Sequence, residues 1–260
     1  MNFVLNKRQK IVISSVLLTI GLLSTQLVDF NLRFRFLGGL AVMAYVLSFW
    51  SLWQGLNFTK AIVLMILPTF FTVAIASFYF LLPVRWLTRL PVAVVFGLTF
   101  YLLLLAQNVF NVASLRTIPL YRAASTASFL FTLLSAFFIY HVVFAFNLLF
   151  IWNGLLVALI SFPLIFQVLW SIKMEDKIGA DILIQSFILS LILGEFALSF
   201  SFWPSPIPIW ALSLSSAMYV LLGLTTQILR GRINRRAVWE YAGIGAVVLV
   251  VSFFATSWSG

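Results

Sequence analysis

Ionisable groups are so sparse in this chain that the few inside apolar sequence mark where any chemistry has to occur. Glu195 lies in ILSLILGEFALSFSFWP, eight residues before Trp203, or about 12 Å along a helix at ~1.5 Å per residue. A carboxylate at that depth is costly unless it is paired or protonated. His141, the sole histidine, stands in IYHVVFAFN, six residues before Asn147, at a comparable depth. Glu195 facing His141, or facing Arg85 or Arg89, would relay protons or grip a cationic group. The competing reading is a hydrogen-bonded staple between two helices.

A second constellation is YLLLLAQNVFNVASLRTIPLYRAAS, residues Tyr101 to Ser125, where a lipid-like run passes into amides and arginines. Gln107, Asn108 and Asn111 fall within one broad helical stripe. Arg116 and Arg122 bracket Pro119, which ends a helix through its missing N–H. Amides beside two arginines suit a polar path or an anionic lipid headgroup at the inner surface; the alternative is glue, each amide bonding to a neighbouring helix.

The remaining acids offer less. Metal-assisted chemistry on a diphosphate needs carboxylates converging on one cation, whereas Glu175, Asp176 and Asp181 alternate with Lys173 and Lys177 in KMEDKIGAD and read as a neutralised turn. No Gly-rich phosphate loop, GxSxG elbow, HExxH pair or paired-aspartate motif occurs. Asp29 and Glu240 complete the total of six acids, a scarcity that argues against an enzyme. With no cysteine and one histidine, thiolate and His-pair metal sites are excluded. No catalytic residue, cofactor or metal site is expected.

The elements that position these residues follow from composition. At 63% hydrophobic, 8% charged and a mean hydropathy of +1.13, a soluble fold is excluded. The net charge of +10 comes from bases set singly between apolar runs, which suits orientation in a bilayer and not nucleic-acid binding. Apolar runs long enough to cross predict about nine spans in a single integral membrane domain, 1–260: 11–27, 37–54, 61–82, 91–113, 123–146, 148–172, 182–202, 209–229 and 237–257. Pro68 and Pro163 are expected as kinks, Asn147 as the break between the fifth and sixth spans, and the three prolines of SFWPSPIPIW as an extended cap.

An all-α polytopic bundle with its N-terminus cytoplasmic and C-terminus outside leaves only Arg33, Arg35, Arg85 and Arg89 of the 16 bases in outer loops, a positive-inside bias. All nine tryptophans, Trp50, Trp53, Trp86, Trp152, Trp170, Trp203, Trp210, Trp239 and Trp258, fall near span ends, as an aromatic belt requires. Small residues recur at Ala124, Ser128, Thr132 and Ala136, and at Ser186, Ser190 and Gly194. These stripes predict that the fifth and seventh spans pack together, bringing His141 toward Glu195. The 28 phenylalanines are expected to face lipid.

The segments QNVFNVASLRTIPLYRAA, SFPLIFQVLWSI, ILSLILGEFALSFSFWP, YVLLGL and RRAVWEYAGIG resemble a family of uncharacterised multi-spanning membrane proteins of ultra-small candidate-phyla bacteria. The resemblance covers most of the chain after Tyr101, with motif positions at Gln107, Asn108, Arg116, Arg122, Glu195, Trp203, Pro204, Glu240 and Tyr241. It implies a bacterial cytoplasmic (inner) membrane and transfers no active site. Three functions are open: a non-catalytic assembly, anchoring or partner-binding component, a small transporter or channel using Glu195 and His141, and a lipid-modifying enzyme. Missing catalytic groups and short loops favour the first, with membrane lipids and a protein partner or second copy as the expected contacts.

Overall fold

The computed structural model describes residues 6–25, 32–83, 86–113, 120–174 and 178–256. Hydrocarbon offers backbone N–H and C=O groups no partner, so apolar sequence of this length closes its hydrogen bonds within helices. Nine helices result among the described residues: α1 (Lys7–Ser24), α2 (Arg33–Leu52), α3 (Phe58–Leu81), α4 (Trp86–Ala113), α5 (Tyr121–Ala145), α6 (Phe150–Lys173), α7 (Ala180–Phe200), α8 (Ile207–Leu229) and α9 (Arg235–Ala255). Eight are long and apolar enough to cross a membrane. The ninth, α1, carries Lys7, Arg8 and Lys10 at its start. Most helices begin a few residues before the apolar run, because bases such as Arg33 and Arg235 take helical first turns; the Arg33 guanidinium lies 5.5 Å from the Phe80 ring centre, and Arg235 is exposed.

Turn chemistry sets the breaks. Asn147 adopts a left-handed φ of 50° between α5 and α6, a conformation asparagine tolerates well. Gly55, at φ 90°, turns α2 into α3. Pro68 and Pro163 lie inside α3 and α6 without ending them. Near Pro68, Thr69 Oγ1 donates to the Met65 carbonyl and Thr72 Oγ1 to that of Pro68, each at 2.8 Å. Pro91 sits in the second turn of α4 instead of opening it, so its missing N–H leaves the Leu87 carbonyl without the bond another residue there would give.

The chain divides into two compact units, Met1–Phe131 and Thr132–Gly260, and the division falls inside α5. In the first unit each helix from α1 to α4 packs on its sequence neighbour, and α4 closes on α1, giving a four-helix arrangement. The seam of α4 shows why: Ala93, Phe96, Phe100, Leu103, Gln107 and Phe110 are buried at alternating spacings of three and four, the heptad register of packed helices. Phe71 lies 5.9 Å from Phe96 and 5.5 Å from Phe131, ring centre to ring centre. Phenylalanine is therefore core here as well as lipid-facing surface. Large rings can alternate with small residues in a well-filled seam, which overall hydrophobicity does not disclose.

In the second unit α6 and α7 form the closest pair, α8 packs on both, and α9 packs on α8. Gly154 and Gly194 face each other: a Cβ on Gly194 would stand 2.9 Å from the Gly154 carbonyl oxygen, and one on Gly154 would stand 2.5 Å from Leu198 Cγ. The small stripe Ser186, Ser190 and Gly194 is buried as expected, but against α6 and not against α5. Gly154 lets two backbones meet where α5 offers only side chains. The second half of α5 meets α6 and α8 through large side chains, Tyr140 against Ser161 and Met218 and Phe144 against Trp210. Trp170, assigned to the interfacial belt by position, is fully buried at the end of α6, whereas Trp53 and Trp239 are 61% and 75% exposed. Trp258 lies outside the described residues.

Adding a methyl group at the α6–α7 crossing forces two backbones apart. Gly194→Ala is expected to lower stability by about 1–3 kcal/mol, while Gly243→Ala, inside α9 with a Cβ that would meet nothing within 4 Å, should raise it by up to about 1 kcal/mol. Thermal unfolding of the two variants in one detergent measures the difference.

Candidate functional site

Two groups of polar side chains stand out, one in each unit. In the first, α2 ends with carbonyl groups that have no intrahelical partner, and the Gly55 turn leaves them open toward α4. Asn111, 1% exposed, answers them: its Nδ2 donates to the carbonyls of Leu52 and Gln54, both at 3.0 Å. Lys7 Nζ donates to the same Gln54 oxygen at 3.1 Å, and Lys10 lies 5.4 Å from the Trp50 ring centre. Partial burial, with Lys10 nearby, lowers the Lys7 pKa from the ordinary lysine value. Cations are favoured at a helix C-terminus, so this node pins the ends of α1, α2 and α4 together.

Gln107 occupies the α4 seam and donates to Ser128 Oγ on α5 at 3.3 Å. Asn108 is half-buried, and its Oδ1 is inaccessible and without a hydrogen-bond partner. Gln107 and Asn111 thus bond to different neighbours, Ser128 on α5 and the main chain at the end of α2. Arg122 is exposed. Arg116 lies outside the described residues, as do Arg85, Glu175 and Asp176. Arg89 is 4% exposed, donates from Nη2 to the Leu82 carbonyl at 3.1 Å and covers the Tyr79 ring at 5.1 Å, capping the end of α3.

In the second unit Glu195 faces outward. It is exposed on α7, and the ion pairs among the described residues are Lys173–Asp181 and Arg236–Glu240, neither of which includes it. His141 is half-buried on α5 with the Phe137 ring centre at 6.4 Å. The two residues lie near the same helix ends but are not paired, because α7 turns its small face to α6 and its other side, with Glu195, away from the unit.

Three buried polar contacts lie outside what the sequence reading anticipated. Tyr140 is fully buried, its hydroxyl 2.6 Å from Ser161 Oγ and 3.6 Å from Met218 Sδ; a phenol in an apolar run was the available signal, since a buried tyrosine hydroxyl seeks a partner. Asn153 Nδ2 donates to Ser201 Oγ at 3.1 Å, linking the start of α6 to the end of α7. Ser213 and Ser252 hydroxyls meet at 2.7 Å. Between α7, α8 and α9 runs an apolar cleft of about 350 Å³, lined among others by Phe196, Ser216, Ala217, Gly245 and Ala246.

Several motif positions fasten α9. The Tyr241 ring lies where a side chain on Gly223 would stand, since a Cβ there would be 2.1 Å from Tyr241 Cε1, and its centre is 5.1 Å from the Tyr219 ring. YVLLGL and RRAVWEYAGIG are therefore two halves of one contact. At the other end Trp203 Nε1 donates to Thr256 Oγ1 at 2.6 Å, and Ser205 Oγ stands 2.7 Å from the same oxygen. Glu240 receives Arg236 Nε at 3.0 Å in an exposed pair.

The amides separate by what they hold. Asn111→Ala should lower stability by about 1–2 kcal/mol, by removing the donor to the Leu52 carbonyl and leaving that of Gln54 to Lys7 alone, and Asn108→Ala, which removes an unpartnered buried oxygen, should not lower it. Parallel unfolding of both variants in detergent checks the contrast.

No curated protein and no solved structure matches the chain. A family match spans residues 50–255, extending the resemblance backward from Tyr101 to the end of α2. The chain belongs to the family described as Protein of unknown function (DUF5656).

Proposed function

We propose that the chain is a non-catalytic multi-pass component of the bacterial cytoplasmic membrane that assembles with another membrane protein. One observation carries the reading: Glu195 lies on the outward, apolar flank of α7 and not beside the buried polar groups. A carboxylate facing hydrocarbon is unstable until something covers it, and a protein neighbour supplies the donor that lipid tails lack. Gln107, Asn111, Tyr140 and Asn153 support the same reading, because their bonds go to neighbouring helices. Transport would need such groups turned toward a common aqueous path.

The N-terminus is cytoplasmic and the C-terminus outside, on the distribution of bases. The α5–α6 turn then faces outward and the α8–α9 turn inward. Because the chain has no cysteine, single cysteines report this directly. Leu149→Cys should react with a membrane-impermeant maleimide in intact cells, and Arg232→Cys only after permeabilisation; the opposite pattern reverses the orientation.

Purified chain in sealed vesicles should leak protons and monovalent cations at the rate of empty vesicles, and Glu195→Gln should leave that rate unchanged. A flux that wild type supports and Glu195→Gln abolishes would replace assembly with transport.

A further inference from the structure

We propose that the neighbour covering Glu195 is a second copy of this chain, which lays the outer face of its α2 along α7 and places its Arg35 against Glu195. The inference rests on the assembly reading above and names the partner.

Four outward residues of α7 follow one stripe: Ile184, Ile188, Leu191 and Glu195, at spacings of four, three and four. The apolar three are 58%, 50% and 44% exposed, and Glu195 is exposed with them. This is the spacing of a helix face that receives another helix, with one acid among its apolar positions. No ion pair among the described residues includes Glu195, and His141, near the same helix end, is half-buried on α5 and not paired with it. The described lysines and arginines of this unit, Lys173, Arg230, Arg232, Arg235 and Arg236, lie at or beyond the end of α6, the end of α8 or the start of α9. These are the opposite helix ends from that of Glu195.

The outer face of α2 carries the complementary stripe. Arg35, Gly39, Val42 and Val46 fall at spacings of four, three and four. Arg35 and Gly39 are exposed, Val42 and Val46 are 64% and 54% exposed, and a Cβ on Gly39 would meet nothing within 4 Å. Set antiparallel, the stripes keep one register throughout. Arg35 falls opposite Glu195, the small Gly39 opposite Leu191, Val42 opposite Ile188 and Val46 opposite Ile184.

Directions and depth agree with this pairing. In the orientation proposed above, α2 enters from the outer surface and α7 leaves through it, so the helices are antiparallel in a shared membrane. Arg35 is the third residue of α2, and Glu195 lies five residues before the end of α7. The offset, about 4.5 Å at ~1.5 Å per residue, is within the reach of an arginine side chain. The guanidinium donates to both carboxylate oxygens in a geometry lysine cannot copy. Each copy then supplies an acid on one face and a base on another, and the glycine opposite Leu191 lets the two helices approach.

The test uses the full chain, whose lack of cysteine makes introduced thiols unambiguous. Two differently tagged copies, one Val42→Cys and one Ile188→Cys, are co-expressed and oxidised in native membranes. A disulfide between the tags is expected, and Val42→Cys with Phe254→Cys serves as the mismatched control. In the same cysteine backgrounds, Glu195→Arg in the Ile188→Cys copy or Arg35→Glu in the Val42→Cys copy should each cut the cross-linked fraction about tenfold or more. Both together should restore it. Absence of the Val42–Ile188 cross-link with charges intact overturns the proposal, as does a combined charge swap that fails to restore it. If Glu195→Arg releases a different membrane protein while copies never cross-link, the assembly reading survives and the second copy is excluded as the neighbour.

Discussion

The structure depends on the rule that a polar group in hydrocarbon must find its partner inside the protein. Main-chain groups obey it by forming helices, and side chains obey it in two ways. Hydroxyls fold back on their own helix, as Ser15 does to Ile11 and Ser186 to Ile182, which removes them from the list of available chemical groups. Amides reach across, as Asn111 reaches the open end of α2. What would look like a polar lining in sequence is thereby converted into fastening.

Packing follows the same economy of space. Where two glycines coincide, on α6 and α7, the backbones nearly touch; where they do not, contact is through large side chains, as Tyr140 and Phe144 provide for α5. The outermost helix, α9, buries only Ser252 along its length among the described residues. It is held by discrete contacts instead of a packed stripe, with the Tyr241 ring on Gly223 near one end, the Ser213–Ser252 hydroxyl pair farther along, and Trp203 with Ser205 on Thr256 at the other.

The helices themselves were legible because long apolar runs separated by bases and turn residues allow one structure in lipid, and Asn147 marked a turn by its conformational tolerance. Pairing was less legible. Small-residue stripes on the fifth and seventh spans looked equivalent, and the deciding residue, Gly154, is a single glycine whose meaning depends on what faces it. The targets of Asn111 are main-chain carbonyls, which carry no residue identity for a pattern to find. The side on which Glu195 emerges followed from the α6–α7 contact, so its separation from His141 could not be read before that contact was known.

The boundary between the two units falls within a continuous helix, between Phe131 and Thr132 of α5. No loop offers a place to part them, and a cut there would strand up to four main-chain carbonyls on one fragment and four N–H groups on the other, in a solvent that satisfies neither. A polypeptide built this way cannot be parted into its two units without breaking a helix.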